Sequence, residues 1–247
     1  MKVNMEMSYP KEVEQIKREC KPVFLPVGTM EYHSHHCPFG CDTLNAIGVA
    51  EKVAELTGGL VLPPVWYGVA SYAVGGPDKN TLNVDVDTLE NYVYCILDSL
   101  FKSGFKKNIF ILIAHQTEDY MPMTLACMKA AKKLIMAELE KIGGYGWWGK
   151  KENADFYENL KGSDSPWNKV RVIRLPYTKN CKGYGDHAGV HECSMLEYLY
   201  PNSIKLDRLD ASEDWFGETA VNMSLEHGKT IVDTCVNDIL AMINGEE

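Results

Sequence analysis

The segment NIFILIA, Asn108 to Ala114, is apolar at every position after its first residue. It is far too short to cross a membrane, and it has no polar positions to turn toward water. It therefore reads as a strand buried on both faces, the usual state of a strand inside a parallel sheet. Such a strand needs parallel neighbours beside it and helices above and below, and the chain supplies both in alternation. Val23 to Val27 and Val170 to Leu175 read as strands, and Leu60 to Tyr67 as another, weakened by Pro63 and Pro64. Helical patterns lie between them. One starts at Asp42 and stops at Gly58-Gly59; one runs from Asp87 to Phe101, with Asp87 as N-cap and Glu90 as its reciprocal partner. Others span Met121 to Ile142, Glu192 to Leu199 and Thr219 to Ile243. The expectation is an α/β fold, a mainly parallel sheet flanked by helices on both faces.

The 247 residues carry no internal repeat or low-complexity linker, so one domain, 1–247, is expected. The stretch from Gly143 to Asn168, with Trp147, Trp148 and Trp167, is too long for a simple connection and reads as a lid or an interface segment. A net charge of -9 argues against nucleic acid or an anionic membrane as partner, because either wants clustered Lys and Arg. The polar N-terminal segment lacks a signal-peptide pattern. The eight cysteines form no C-x-x-C pair, which argues for free thiols in the cytoplasm and against a cysteine-rich zinc site.

Six of the seven histidines fall at or just after predicted strand ends: His33, His35 and His36; His115; His187 and His191. In open α/β sheets ligands bind there. In GTMEYHSHHCPFGCDT, an extended backbone would point Glu31 and His33 the same way, and Asp42 returns after a short loop. Imidazole mixed with carboxylate suits Zn²⁺, Mn²⁺ or Fe²⁺. Asp42 could bridge two ions or simply cap its helix. His227 reads as a surface residue and His191 as an exposed loop residue.

The spacing E-x-H-x-x-H-x-P-x-G-x-D resembles the first signature of the creatininase (creatinine amidohydrolase) family, roughly G-S-x-E-Q-H-G-P-H-L-P-x-x-T-D. Gly28, Glu31, His33, His36, Pro38 and Asp42 fall in register. The second signature, N-G-H-G-G-N or N-G-H-Y-E-N, corresponds to IAHQTED: His115 matches, but Thr117 stands where creatininase has a ligating glutamate. Glu118 could replace it, act as a proton acceptor, or only favour the dipole of the following helix. The third signature, H-A-G-x-x-E-T-S, corresponds to GDHAGVHECSMLEYLYP, matching His187, Ala188, Gly189, Glu192 and Ser194.

The resemblance implies a creatininase-like three-layer fold holding one or two divalent metal ions, Zn, Mn or Fe. It implies Glu31, His33, Asp42, His115 and Glu192 as ligands, Glu192 being a ligand or a neighbour of one. His187 would be the general acid, with Glu118 as a second catalytic candidate. The implied reaction is attack of a metal-activated water on a carbonyl of a small, polar, cyclic molecule. A cyclic amide, a formamide and 3-dehydro-scyllo-inosose are all open. A homo-oligomer, a hexamer by resemblance, is expected. The rivals are a non-catalytic metal-binding homologue and a cysteine hydrolase using Cys37 or Cys41.

Overall fold

The computed structural model describes residues 3–115, 121–156, 158, 165–181 and 183–246. Four parallel strands form its sheet in the order β2-β1-β3-β4. They are β1 (Val23–Val27), β2 (Leu60–Val61), β3 (Ile109–Ile113) and β4 (Val170–Arg174). The apolar run behaves as its composition requires. Ile109, Ile111 and Ile113 enter the core on one face, and Phe110, Leu112 and Ala114 the core on the other. Burying each such aliphatic side chain is worth about 1.5–3 kcal/mol.

Among the described residues six α-helices cover the two faces. α1 (Pro10–Arg18), α3 (Val86–Lys102) and α4 (Pro122–Gly143) pack on the isoleucine side. α2 (Cys41–Thr57), α5 (Val190–Leu199) and α6 (Leu225–Asn244) pack on the phenylalanine side. The three layers expected are present. Gly228 lets α6 lie directly on α5, since a Cβ there would meet the Ser194 carbonyl oxygen at 1.9 Å. Among the described residues no helix is long and apolar enough to cross a membrane.

Several boundaries differ from expectation, most of them by one or two residues. β2 ends at Val61, and Val65 adds only an isolated bridge to Val27. Pro63 and Pro64 explain this, because neither has an N–H for the ladder. The N-cap of α3 is Asp85 rather than Asp87: its carboxylate accepts from the Thr88 N–H at 2.9 Å, and Glu90 pairs instead with Lys129. The last helix divides into a 3-10 turn, Trp215–Asn222, and α6, which starts where Ser224 caps the His227 N–H.

The topology fixes where a site can form. After β1 the chain passes into α2 on one face, and after β3 it leads to α4 on the other. The two neighbouring strands thus lead to helices on opposite faces of the sheet, which opens a crevice between their C-terminal ends.

Candidate metal centre

Glu31 and His33 follow β1, His115 follows β3, and Asp42 is the second residue of α2. All four are buried. Asp42 does not cap its helix; Gly40 holds that position and Asp42 points inward from the first turn. His115 Nδ1 lies 3.1 Å from Glu31 Oε2 and 3.1 Å from Asp42 Oδ2. His33 Nε2 lies 3.4 Å from Asp42 Oδ1 and 3.4 Å from Glu192 Oε2. The two oxygens of Asp42 therefore serve two different imidazoles. Glu192, in the first turn of α5, also accepts from the Ala188 N–H at 2.8 Å.

Charge in this cluster is heavily coupled. Burial opposes a charged His115, but the Asp42 and Glu31 carboxylates outweigh it and raise its pKa to about 10. His33, also opposed by burial, is held well above its ordinary value by Asp42 and Glu192. Burial would raise Asp42, yet His115 and His33 hold it far below the usual carboxylate range.

The residues fit a divalent cation. Glu31 Oε2, His33 Nε2, Asp42 Oδ2 and His115 Nε2 are buried without a hydrogen-bonding partner of proper geometry among the described residues. Orphaned buried polar atoms are costly and call for a missing partner. Donors bound about 2.1 Å from one ion sit roughly 3.0–3.4 Å apart, matching the spacings above. Three donor groups have all their ligand atoms within 4.8 Å of one another: Glu31, Asp42 and His115; Glu31, His33 and His187; and His33, Cys41 and Glu192.

The other histidines differ. His187 is half-buried and stacks on His33 with ring centroids 4.2 Å apart. Its Nε2–H donates to the Tyr32 carbonyl at 2.9 Å. Burial and the nearby His33 push its pKa down. His36 is buried and donates from Nε2 to the Ala188 carbonyl at 2.9 Å. His191 is not an exposed loop residue and His227 is not a plain surface one. Both are half-buried, and their ring nitrogens lie 2.7 Å apart beside Tyr184. Of the first cluster, His35 alone is exposed. Glu118 lies outside the described residues. Cys37 and Cys41 are buried and burial pushes both thiols up, the wrong direction for a nucleophile.

A cavity of about 300 Å³ opens on the cluster, lined by Glu31, Asp42, His115, Asp186, His187 and Glu192 with Tyr177 and a wall of small apolar residues. Trp147 and Trp148 are absent from that lining, and Trp147 packs on Phe156 at 4.8 Å. Asp186 was missed in the sequence. It accepts from the N–H groups of His191 and Glu192 at 2.8 and 3.0 Å, fixing the first turn of α5. Gly189 makes room for this, since a Cβ would meet Asp186 Oδ2 at 2.3 Å. The signal was present in GDHAG, an Asp just ahead of a helix whose N-cap, Gly189, has no side chain to offer.

Fold and cluster together define a class: a three-layer α/β protein with an imidazole–carboxylate donor set buried at the switch point of its sheet. The family model for creatininase, creatinine amidohydrolase, matches residues 5–243, and the chain belongs to that family. The creatinine amidohydrolase of Pseudomonas putida is 27% identical over 249 residues, covering 91% of this chain and 89% of that one. A 3-dehydro-scyllo-inosose hydrolase of Thermotoga maritima is 31% identical over 116 residues, 47% of this chain and 36% of its own length. Among solved structures, one described as creatininase with Mn shares the fold with a TM-score of 0.75 at 24% identity, covering 100% of this chain and 99% of that one.

Proposed function

We propose that the protein is a metal-dependent hydrolase of a small, uncharged polar molecule. The observation that carries this reading is the spacing of His115 Nδ1, 3.1 Å from both Glu31 and Asp42, in a buried cluster where Glu31 Oε2, Asp42 Oδ2 and His33 Nε2 have no hydrogen-bonding partner among the described residues. Glu31, Asp42 and His115 would hold one divalent ion, and His33, Asp42 and Glu192 a second, with Asp42 between them. When bound, such ions polarise a carbonyl and bring the acidity of water from a pKa of 15.7 to about 7.

The chain's own residues account for proton movement. The Tyr32 carbonyl can only accept, so the His187 proton sits on Nε2 and the neutral ring keeps its lone pair on Nδ1. With its pKa lowered, His187 begins as a base. It takes a proton from the attacking water and then returns it to the departing nitrogen or carbon, so its acid role comes second. The Tyr32 bond fixes the ring plane throughout.

The cavity supports a compact neutral substrate, because its lining has no Lys or Arg among the described residues to anchor a phosphate or carboxylate. Two relatives named as hydrolases of creatinine and of 3-dehydro-scyllo-inosose support a cyclic amide or a cyclic keto-polyol. The eight free thiols fit a reducing cytoplasm. The 143–168 segment would serve as an interface rather than as a lid formed by Trp148, and a homo-oligomer is the form we infer.

The test is elemental analysis followed by a hydrolysis screen of lactams, formamides and keto-inositols, with and without chelator. Metal-dependent turnover of one class is expected. Bound metal with no turnover of any class would favour a binding protein instead.

A further inference from the structure

Cys41 belongs to the donor group that includes His33 and Glu192, all three ligand atoms lying within 4.8 Å of one another. We propose that Cys41 supplies a sulfur ligand to the cation held by His33, Asp42 and Glu192, making that half of the centre a mixed nitrogen, oxygen and sulfur site. This rests on the reading above that the cluster holds metal.

Four observations converge on the sulfur. His33 Nε2 is wholly buried, lacks a hydrogen-bonding partner among the described residues, and faces two carboxylates. Cys41 is the first residue of α2, directly before Asp42. One turn on, Asn45 donates from Nδ2 to Cys41 Sγ at 3.5 Å. Its Oδ1 has no hydrogen-bonding partner among the described residues. Cys41 itself is fully buried.

The sulfur is thus fully buried, supplied with a side-chain amide donor, and next to an imidazole and carboxylate that need a cation. The family's signature has threonine at this position, directly before the aspartate, so this chain replaces a hydroxyl with a soft donor. A thiolate favours Zn²⁺, Co²⁺ and Fe²⁺ over Mn²⁺.

Cobalt(II) is the probe. The metal-free protein is titrated with Co²⁺ and followed by absorption and elemental analysis. Bound cobalt should give visible d–d bands together with a near-ultraviolet sulfur-to-cobalt charge-transfer band. Cys41→Ser should keep the d–d bands and lose the charge-transfer band. It should also bind Zn²⁺ about tenfold or more weakly while its affinity for Mn²⁺ changes less. Cys37→Ser and Cys193→Ser should keep the band.

Bound cobalt without charge transfer in the wild type overturns the sulfur ligand and leaves the metal reading standing. Failure to bind cobalt at all overturns both. A band lost in Cys37→Ser but kept in Cys41→Ser overturns the assignment. If Cys41→Ser does not fold, X-ray absorption of the zinc-loaded wild type decides: a sulfur scatterer is expected, and a shell of light atoms alone contradicts the proposal.

Discussion

His33 and His36 are three residues apart on one loop, and each is only 1% exposed, yet their chemistry is opposite. His33 faces the carboxylates of Asp42 and Glu192, which hold it well above the ordinary imidazole value. His36 gives its proton to the Ala188 carbonyl, and burial holds it below that value. The same contrast recurs between His115, set against Glu31 and Asp42, and His187, set against the Tyr32 carbonyl. His33 and His36 are buried to the same extent, so the partner decides the role. A carboxylate partner makes a histidine that can trade its proton for a metal, and a carbonyl partner makes a neutral histidine with a fixed tautomer.

The sharpest way to break this contrast is to remove the carboxylate between the two imidazoles. Asp42→Ala should abolish metal binding and lower kcat/KM by far more than the roughly 10–100-fold that loss of an outer partner costs. Retained metal by elemental analysis would contradict the assignment. The two histidines should then separate cleanly. His33→Ala should lose the ion assigned to His33, Asp42 and Glu192 while the fold stays largely intact. His36→Ala should keep metal but cost about 2–4 kcal/mol in chemical denaturation, from an orphaned carbonyl and a cavity.

Titration of the metal-free protein sharpens the contrast further. The imidazole of His115 has a pKa of about 10 in the fold and 6.5 unperturbed. Its contribution is therefore complete below 6.5 and is lost as pH rises toward 10. His36 runs the other way. Its pKa is lowered from 6.5, so its contribution is complete above that value and is lost as pH falls. Stability of the metal-free protein should decline on both sides of neutrality, by at most about 1.4 kcal/mol per pH unit for each proton. Zinc should flatten the alkaline limb, and His36→Ala the acid limb. Denaturation curves across pH measure both. The smallest effect belongs to the third histidine of the loop. His35 is exposed, pairs with the exposed Glu213 and meets the edge of Tyr32, so His35→Ala should leave metal content and kcat/KM unchanged and barely move the melting midpoint.

These differences mark how far the sequence could be read. β3 was legible because its apolar run admits one environment, and Glu31, His33, Asp42 and His115 because strand ends and spacing bring them to one edge. The N-cap of α3 was misplaced because Asp85 and Asp87 are equally good cap residues, and only the backbone chooses between them. Asp186 was missed because its partners are backbone N–H groups, so its only trace is its place three residues ahead of the Gly189 N-cap. The opposite states of His33 and His36 were invisible, since the carbonyl that neutralises His36 comes from Ala188, 152 residues away. The pairing of His191 with His227, across 36 residues, was hidden for the same reason.

The most direct test is anomalous diffraction from crystals soaked in zinc or manganese. A peak within coordinating distance of Glu31, Asp42 and His115 is the predicted result. Saturating metal with no peak there, and His115 still set directly against the two carboxylates, would contradict the account.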